Sequence, residues 1–125
     1  MTYDNLREKL VFLAGVLHDK KAFDVLALDV SSYSSAFEGI VVASAQGSRH
    51  CRSLADNLLK QVKENNMEYL GMEGYQEGDW ILVDLNDVIV HIFVQETRNF
   101  YNLEGFWTKG KIIDPGLQPE GENSA

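Results

Sequence analysis

Apolar positions recur along this chain at two different periods, and each change of period marks an element. Leu6, Leu10, Leu13, Ala14 and Leu17 fall at helical spacing and predict a first helix, with Asp4 as its N-cap and Gly15 as its weak point. The run Phe23–Val30 (FDVLALDV) has strand length, the serines from Ser31 to Ser35 are turn material, and Gly39–Ala45 (GIVVASA) is a second strand. Gly47-Ser48 opens the clearest helix. Cys51, Leu54, Ala55, Leu58, Leu59 and Val62 form a stripe broad enough to pack on a sheet, and Asn65-Asn66 ends it. Met67–Glu73 is a weaker third strand, interrupted by Gly71.

The most informative stretch runs from Asp79 to Val94. Trp80–Leu85 and Val88–Val94 are strand runs flanking Asn86-Asp87, a two-residue turn whose first member tolerates positive φ. Closing the hairpin there sets Leu85 opposite Val88, Val83 opposite Val90 and Ile81 opposite Ile92, a wholly aliphatic face that must be core. Alternation then puts Trp80, Leu82, Asp84, Ile89, His91 and Phe93 on the other face, which is apolar yet carries two polar groups. Such a face is half covered by another element or kept for a partner. A last helix from about Glu96 to Phe106 carries Phe100, Leu103 and Trp107 as one stripe, with Arg98 and Tyr101 beside it. The order α-β-β-α-β-β-β-α implies an α/β fold, a mixed β-sheet of about five strands flanked by α-helices. Both prolines lie in the last eleven residues among Gly116, Glu120, Gly121 and Glu122, so residues 1–112 are expected to form the domain and 113–125 a flexible acidic tail.

Composition narrows the function classes. The 125 residues suit one domain with a real core. Eleven basic against nineteen acidic residues give a net charge of −8, which opposes a whole-domain footprint for nucleic-acid backbone or an anionic membrane. Direct DNA binding is not expected, and RNA contact is expected to be limited; a partner in a nucleic-acid machine would be met through its protein. The single cysteine, Cys51, rules out an internal disulfide and fits a reducing compartment. No apolar run approaches the roughly 18 residues of a membrane span, and no signal-peptide pattern opens the sequence, so a cytoplasmic location is expected.

Several blocks together resemble the ribosomal silencing factor family, the Iojap-like proteins. They are Ala27-Leu28-Asp29-Val30, Gly47-Ser48-Arg49-His50, Glu73-Gly74, Gly78 through Leu85, Asp87 through Phe93, and the set Arg98, Tyr101, Leu103-Glu104 and Trp107, spanning roughly residues 4–108. Asn86 stands where the family usually has glycine, a change its tolerance of positive φ accommodates. The resemblance implies a nucleotidyltransferase-like topology without catalysis. It further implies binding to the large ribosomal subunit through its ribosomal protein numbered fourteen, which keeps the small subunit from joining and represses translation.

Enzymatic readings find little purchase. Gly47-Ser48 begins a helix as a phosphate-binding turn does, but no strand D-x-D follows to hold metal ions, and Asp84-x-x-Asp87 closes a turn. His18, His50 and His91 lie on separate elements with no zinc-type spacing, so neither metal nor cofactor is expected. Asp84 and His91 lie diagonally across the hairpin, where a structural hydrogen bond, a partner contact or an acid–base pair are all open. Trp80 begins its strand after a polar loop and is read as an interface anchor rather than core. The expected partner-binding residues are therefore Trp80, Leu82, Asp84, Ile89, His91 and Tyr101, with Arg49, His50 and Arg98 as secondary candidates. The rival readings are a nucleotide-binding or nucleotidyltransferase-type enzyme and a homodimer formed through the same hairpin face.

Overall fold

A helix needs partners for its first amides, and here Asn5 supplies one: its Oδ1 accepts the Glu8 N–H at 2.8 Å, opening α1 (Leu6–Asp19). The computed structural model describes residues 5–32, 34–101, 111–113 and 115–116, side chains at 100 and 101 excepted. The expected cap, Asp4, lies outside these residues, and Asn5 takes the role because it immediately precedes the first helical residue and caps equally well. The chain continues through β1 (Phe23–Asp29), β2 (Gly39–Ala45), α2 (Ser48–Glu64), β3 (Gly71–Glu73), β4 (Trp80–Asp84), β5 (Val88–Val94), α3 (Gln95–Tyr101) and β6 (Lys111–Ile113).

The sheet order is β3-β4-β5-β2-β1-β6, with β2 and β5 parallel at the centre and every other pair antiparallel. The fold is therefore the expected mixed α/β arrangement, with six strands rather than about five. The added strand, β6, pairs with β1 and buries Ile113, the residue expected to begin the tail. The third strand is shorter than its apolar run: only Gly71–Glu73 pairs with β4, while Met67 closes the end of α2 through a bond from its amide to the Val62 carbonyl. The far half of the expected C-terminal helix, including Leu103, Phe106 and Trp107, lies outside the described residues.

The core has two compartments because the sheet has two faces. Leu10, Leu13 and Leu17 of α1 and Cys51, Leu54, Leu58 and Val62 of α2 pack on one face, over Val41, Ile81, Val83, Val90 and Ile92. Cys51 behaves as a small hydrophobe: it is buried, its Sγ lies 3.3 Å from the Ile92 carbonyl, and burial pushes its thiol up to about 11. Leu28, Val30, Ile40, Val42 and Phe93 form the second compartment on the other face. There α3 packs on β5 and β2.

The hairpin that carries the site is held at its turn. Asn86 adopts φ 76°, and the Leu85 amide reaches the Val88 carbonyl at 2.9 Å, the register the sequence implies. The Asp87 carbonyl accepts the Glu38 and Gly39 amides at 2.7 and 3.1 Å, and its carboxylate pairs with the buried ammonium of Lys9. The turn is thereby tied to both β2 and α1. At the other end Gly74, at φ 82°, passes so close to β4 that a Cβ would stand 2.1 Å from the Trp80 carbonyl oxygen, which only glycine permits.

Candidate functional site

On β4 and β5 the side chains turned away from α1 and α2 are Trp80, Leu82 and Asp84, and Ile89, His91 and Phe93. Their pairs are Trp80 with Phe93, Leu82 with His91, and Asp84 with Ile89. Five of the six expected primary partner residues thus share one face. Tyr101 closes the described part of α3, but its side chain lies outside the described residues. Along the strip, burial is graded. Phe93 and His91 are buried, whereas Trp80, Leu82, Asp84 and Ile89 keep part of their surface.

Among the described residues, Phe93 and His91 both hold Trp80. Its ring stacks on Phe93 with centroids 4.9 Å apart and planes at 28°, and its Nε1–H donates to His91 Nδ1 at 3.1 Å. His91 is only 5% exposed, and burial pushes its imidazole down to about 4, so the ring is neutral near pH 7. Because Nδ1 accepts, this hydrogen bond assigns the proton of the neutral ring to Nε2.

The pairing of Asp84 with His91, one of the open readings, is not made. Instead Asp84 Oδ1 accepts the Asn86 amide at 2.9 Å and closes the turn. Such a local bond costs less chain entropy than a diagonal reach across the hairpin, so the carboxylate is spent on the turn. It remains half exposed, in an acidic neighbourhood. Glu73 is exposed directly across from Leu82 in the β3–β4 register, and Glu68 accepts the Asn86 side-chain amide at 2.9 Å. An apolar strip rimmed by carboxylates suits a basic protein surface. Glu73 is not among the expected partner residues, and alternation extended through Gly71 is the signal that would have placed it on this face.

The secondary candidates go elsewhere. Arg98, a secondary partner-binding candidate, is buried inside the fold, where its guanidinium donates to the Asp24 carbonyl at 2.5 Å and to Ser44 Oγ at 2.8 Å. It fastens α3 to β1 and β2. His50 bridges elements: Nδ1 accepts the Gln46 amide at 3.0 Å, and Nε2 lies 2.8 Å from the Lys20 carbonyl. Arg49 is exposed and shares with His50, Lys20 and Lys21 a concavity of about 620 Å³ at the start of α2. Neither joins the Trp80 strip. Among the described residues no group of three or more His, Cys, Asp or Glu side chains could hold a metal ion, and no helix is long and apolar enough to cross a membrane.

Comparison with known proteins gives this geometry its context. Residues 3–125 match the family described as ribosomal silencing factor during starvation. A ribosomal silencing factor of Bacillus subtilis is 34% identical over 110 residues, covering 88% of this chain and 93% of that protein. One from Haemophilus influenzae is 36% identical over 96 residues, covering 77% and 94%. A mouse protein named for mitochondrial assembly of the ribosomal large subunit is 28% identical over 113 residues, covering 88% of this chain and 50% of its own length. Among solved structures, a Chromobacterium violaceum protein superposes with a TM-score of 0.75 at 30% identity, covering 92% of this chain and 93% of the other.

Proposed function

The chain belongs to the ribosomal silencing factor family, and on that premise we propose that it binds the large ribosomal subunit through the ribosomal protein numbered fourteen and holds the small subunit off by occupying the space between them. The observation that carries this reading is the half-open strip of Trp80, Leu82 and Ile89 beside Asp84 and Glu73, on a sheet whose opposite face is sealed by two helices. Partly covered apolar side chains that adjoin along two neighbouring strands, with carboxylates beside them, offer a contiguous surface of the kind protein partners use. The mouse relative's name, which couples it to large-subunit assembly, supports the same class of partner.

The mechanism requires no chemistry. Trp80, Leu82 and Ile89 bury against the partner, and the carboxylates meet its basic side chains. An interface of about 800 Å² per partner is enough for a stable complex. Translation is repressed because a bound body excludes the small subunit sterically, a reading that the family's description as a silencing factor during starvation supports.

The test is gradient sedimentation of purified subunits with and without the protein. Under this reading the protein travels with the large subunit, and the peak of joined ribosomes falls as its concentration rises. Normal joining at a saturating dose overturns the reading.

A further inference from the structure

We infer that His91 is a positioning residue for Trp80: its Nδ1 receives the indole N–H and fixes the ring in the orientation that meets the partner, without His91 itself touching that partner. The inference rests on the docking role proposed above for Trp80.

Three observations carry it. The two residues differ in exposure, since His91 is 5% exposed while Trp80 keeps part of its surface. The hydrogen bond at 3.1 Å and the stack on Phe93 at 4.9 Å constrain the indole at different atoms, so together they restrain rotation about both side-chain bonds. Finally, His91 sits opposite Leu82, with Trp80 and Asp84 as its two diagonal neighbours on β4, and Asp84 is engaged by the Asn86 amide.

The physical advantage is pre-organisation. A partly exposed tryptophan at the start of a strand, next to the Tyr75–Gly78 loop, loses less freedom on docking when its indole N–H is already held as well as its ring face. Ordering one such side chain in advance is worth about three- to tenfold in affinity. A satisfied indole donor also spares the interface a buried N–H without an acceptor.

The test is a double-mutant cycle on the full chain, measuring co-sedimentation with purified large subunits across a concentration series. His91→Phe, which fills the volume but offers no acceptor, is expected to weaken binding about three- to tenfold. His91→Asn, whose amide branches from Cγ as Nδ1 does, is expected to restore affinity to within about twofold of wild type. In a Trp80→Phe background, where no indole N–H needs an acceptor, His91→Phe is expected to add no further loss.

Unchanged affinity for His91→Phe, or an equal loss in the Trp80→Phe background, overturns the inference while leaving the docking reading intact. Should His91→Phe fail to fold, ring ¹⁵N shifts of wild-type His91 decide the matter. An unprotonated Nδ1 that persists when the isolated ribosomal protein is added supports positioning, and protonation or a new bond at Nδ1 overturns it. If Trp80→Ala binds as tightly as wild type, the docking reading itself fails, and this inference with it.

Discussion

The β4–β5 hairpin has two faces of similar length and opposite fate. Ile81, Val83, Leu85, Val88, Val90 and Ile92 are all 0% exposed beneath α1 and α2, whereas Trp80, Leu82, Asp84 and Ile89 on the other side keep part of their surface. Hydrophobicity alone does not explain the contrast, because both faces are mostly apolar. The difference lies in what polar groups accompany the apolar ones. The sealed face has none, so helices can close over it without stranding a donor or acceptor. Its counterpart carries a carboxylate, an imidazole and an indole N–H, each already bonded within the hairpin, so it can stand half open and later meet another surface with little left to satisfy.

The comparison breaks most visibly on the sealed side. Ile92→Ala is expected to cost about 2–5 kcal/mol in urea unfolding, because the cavity it leaves under α2 has little room to collapse. Leu82→Ala on the open side is expected to cost about 1 kcal/mol and to weaken large-subunit binding instead. Equal stability losses for the two would mean that the second face is core as well.

Acid sharpens the contrast next. The folded-state value of His91, about 4, lies below its ordinary 6.5, so the unfolded chain takes up the proton first as pH falls. The stabilisation from a neutral buried ring is complete above about pH 6.5 and is lost as pH drops toward 4, a change of about 3 kcal/mol. Urea midpoints measured across that window are expected to fall, and His91→Asn is expected to flatten the dependence. An unchanged slope in that variant would assign the acid sensitivity to other groups.

These two faces were unequally legible in the sequence. The hairpin register followed from strict alternation and the Asn86-Asp87 turn, and the α2 stripe followed from its spacing. Strands of three residues are too short to show a period, so no pattern announces β6 or marks where β3 starts within its longer apolar run. The burial of Arg98 escapes local pattern for a different reason. Its acceptors, the Asp24 carbonyl and Ser44 Oγ, are distant in sequence, and no local pattern marks a cation that the fold will enclose. His91 had Trp80 and Asp84 as equivalent diagonal neighbours, and only the competing bond to the Asn86 amide decides between them.

The smallest expected effect concerns the acidic rim. Asp84→Asn keeps an oxygen for the Asn86 amide, so stability is expected to change by less than about 0.5 kcal/mol. Binding to large subunits is expected to weaken about two- to fivefold at low salt, with the difference fading as salt rises. A salt-independent loss would point to shape rather than charge at that position.

The central claim, that the half-open face is the surface that grips the large subunit, is tested most directly by Trp80→Ala in a co-sedimentation gradient. With its far-UV circular dichroism matching wild type, this variant is expected to lose about 2 kcal/mol or more of binding and to stay near the top of the gradient at concentrations where wild type travels with large subunits. A folded Trp80→Ala protein that still migrates with them as wild type does contradicts the account.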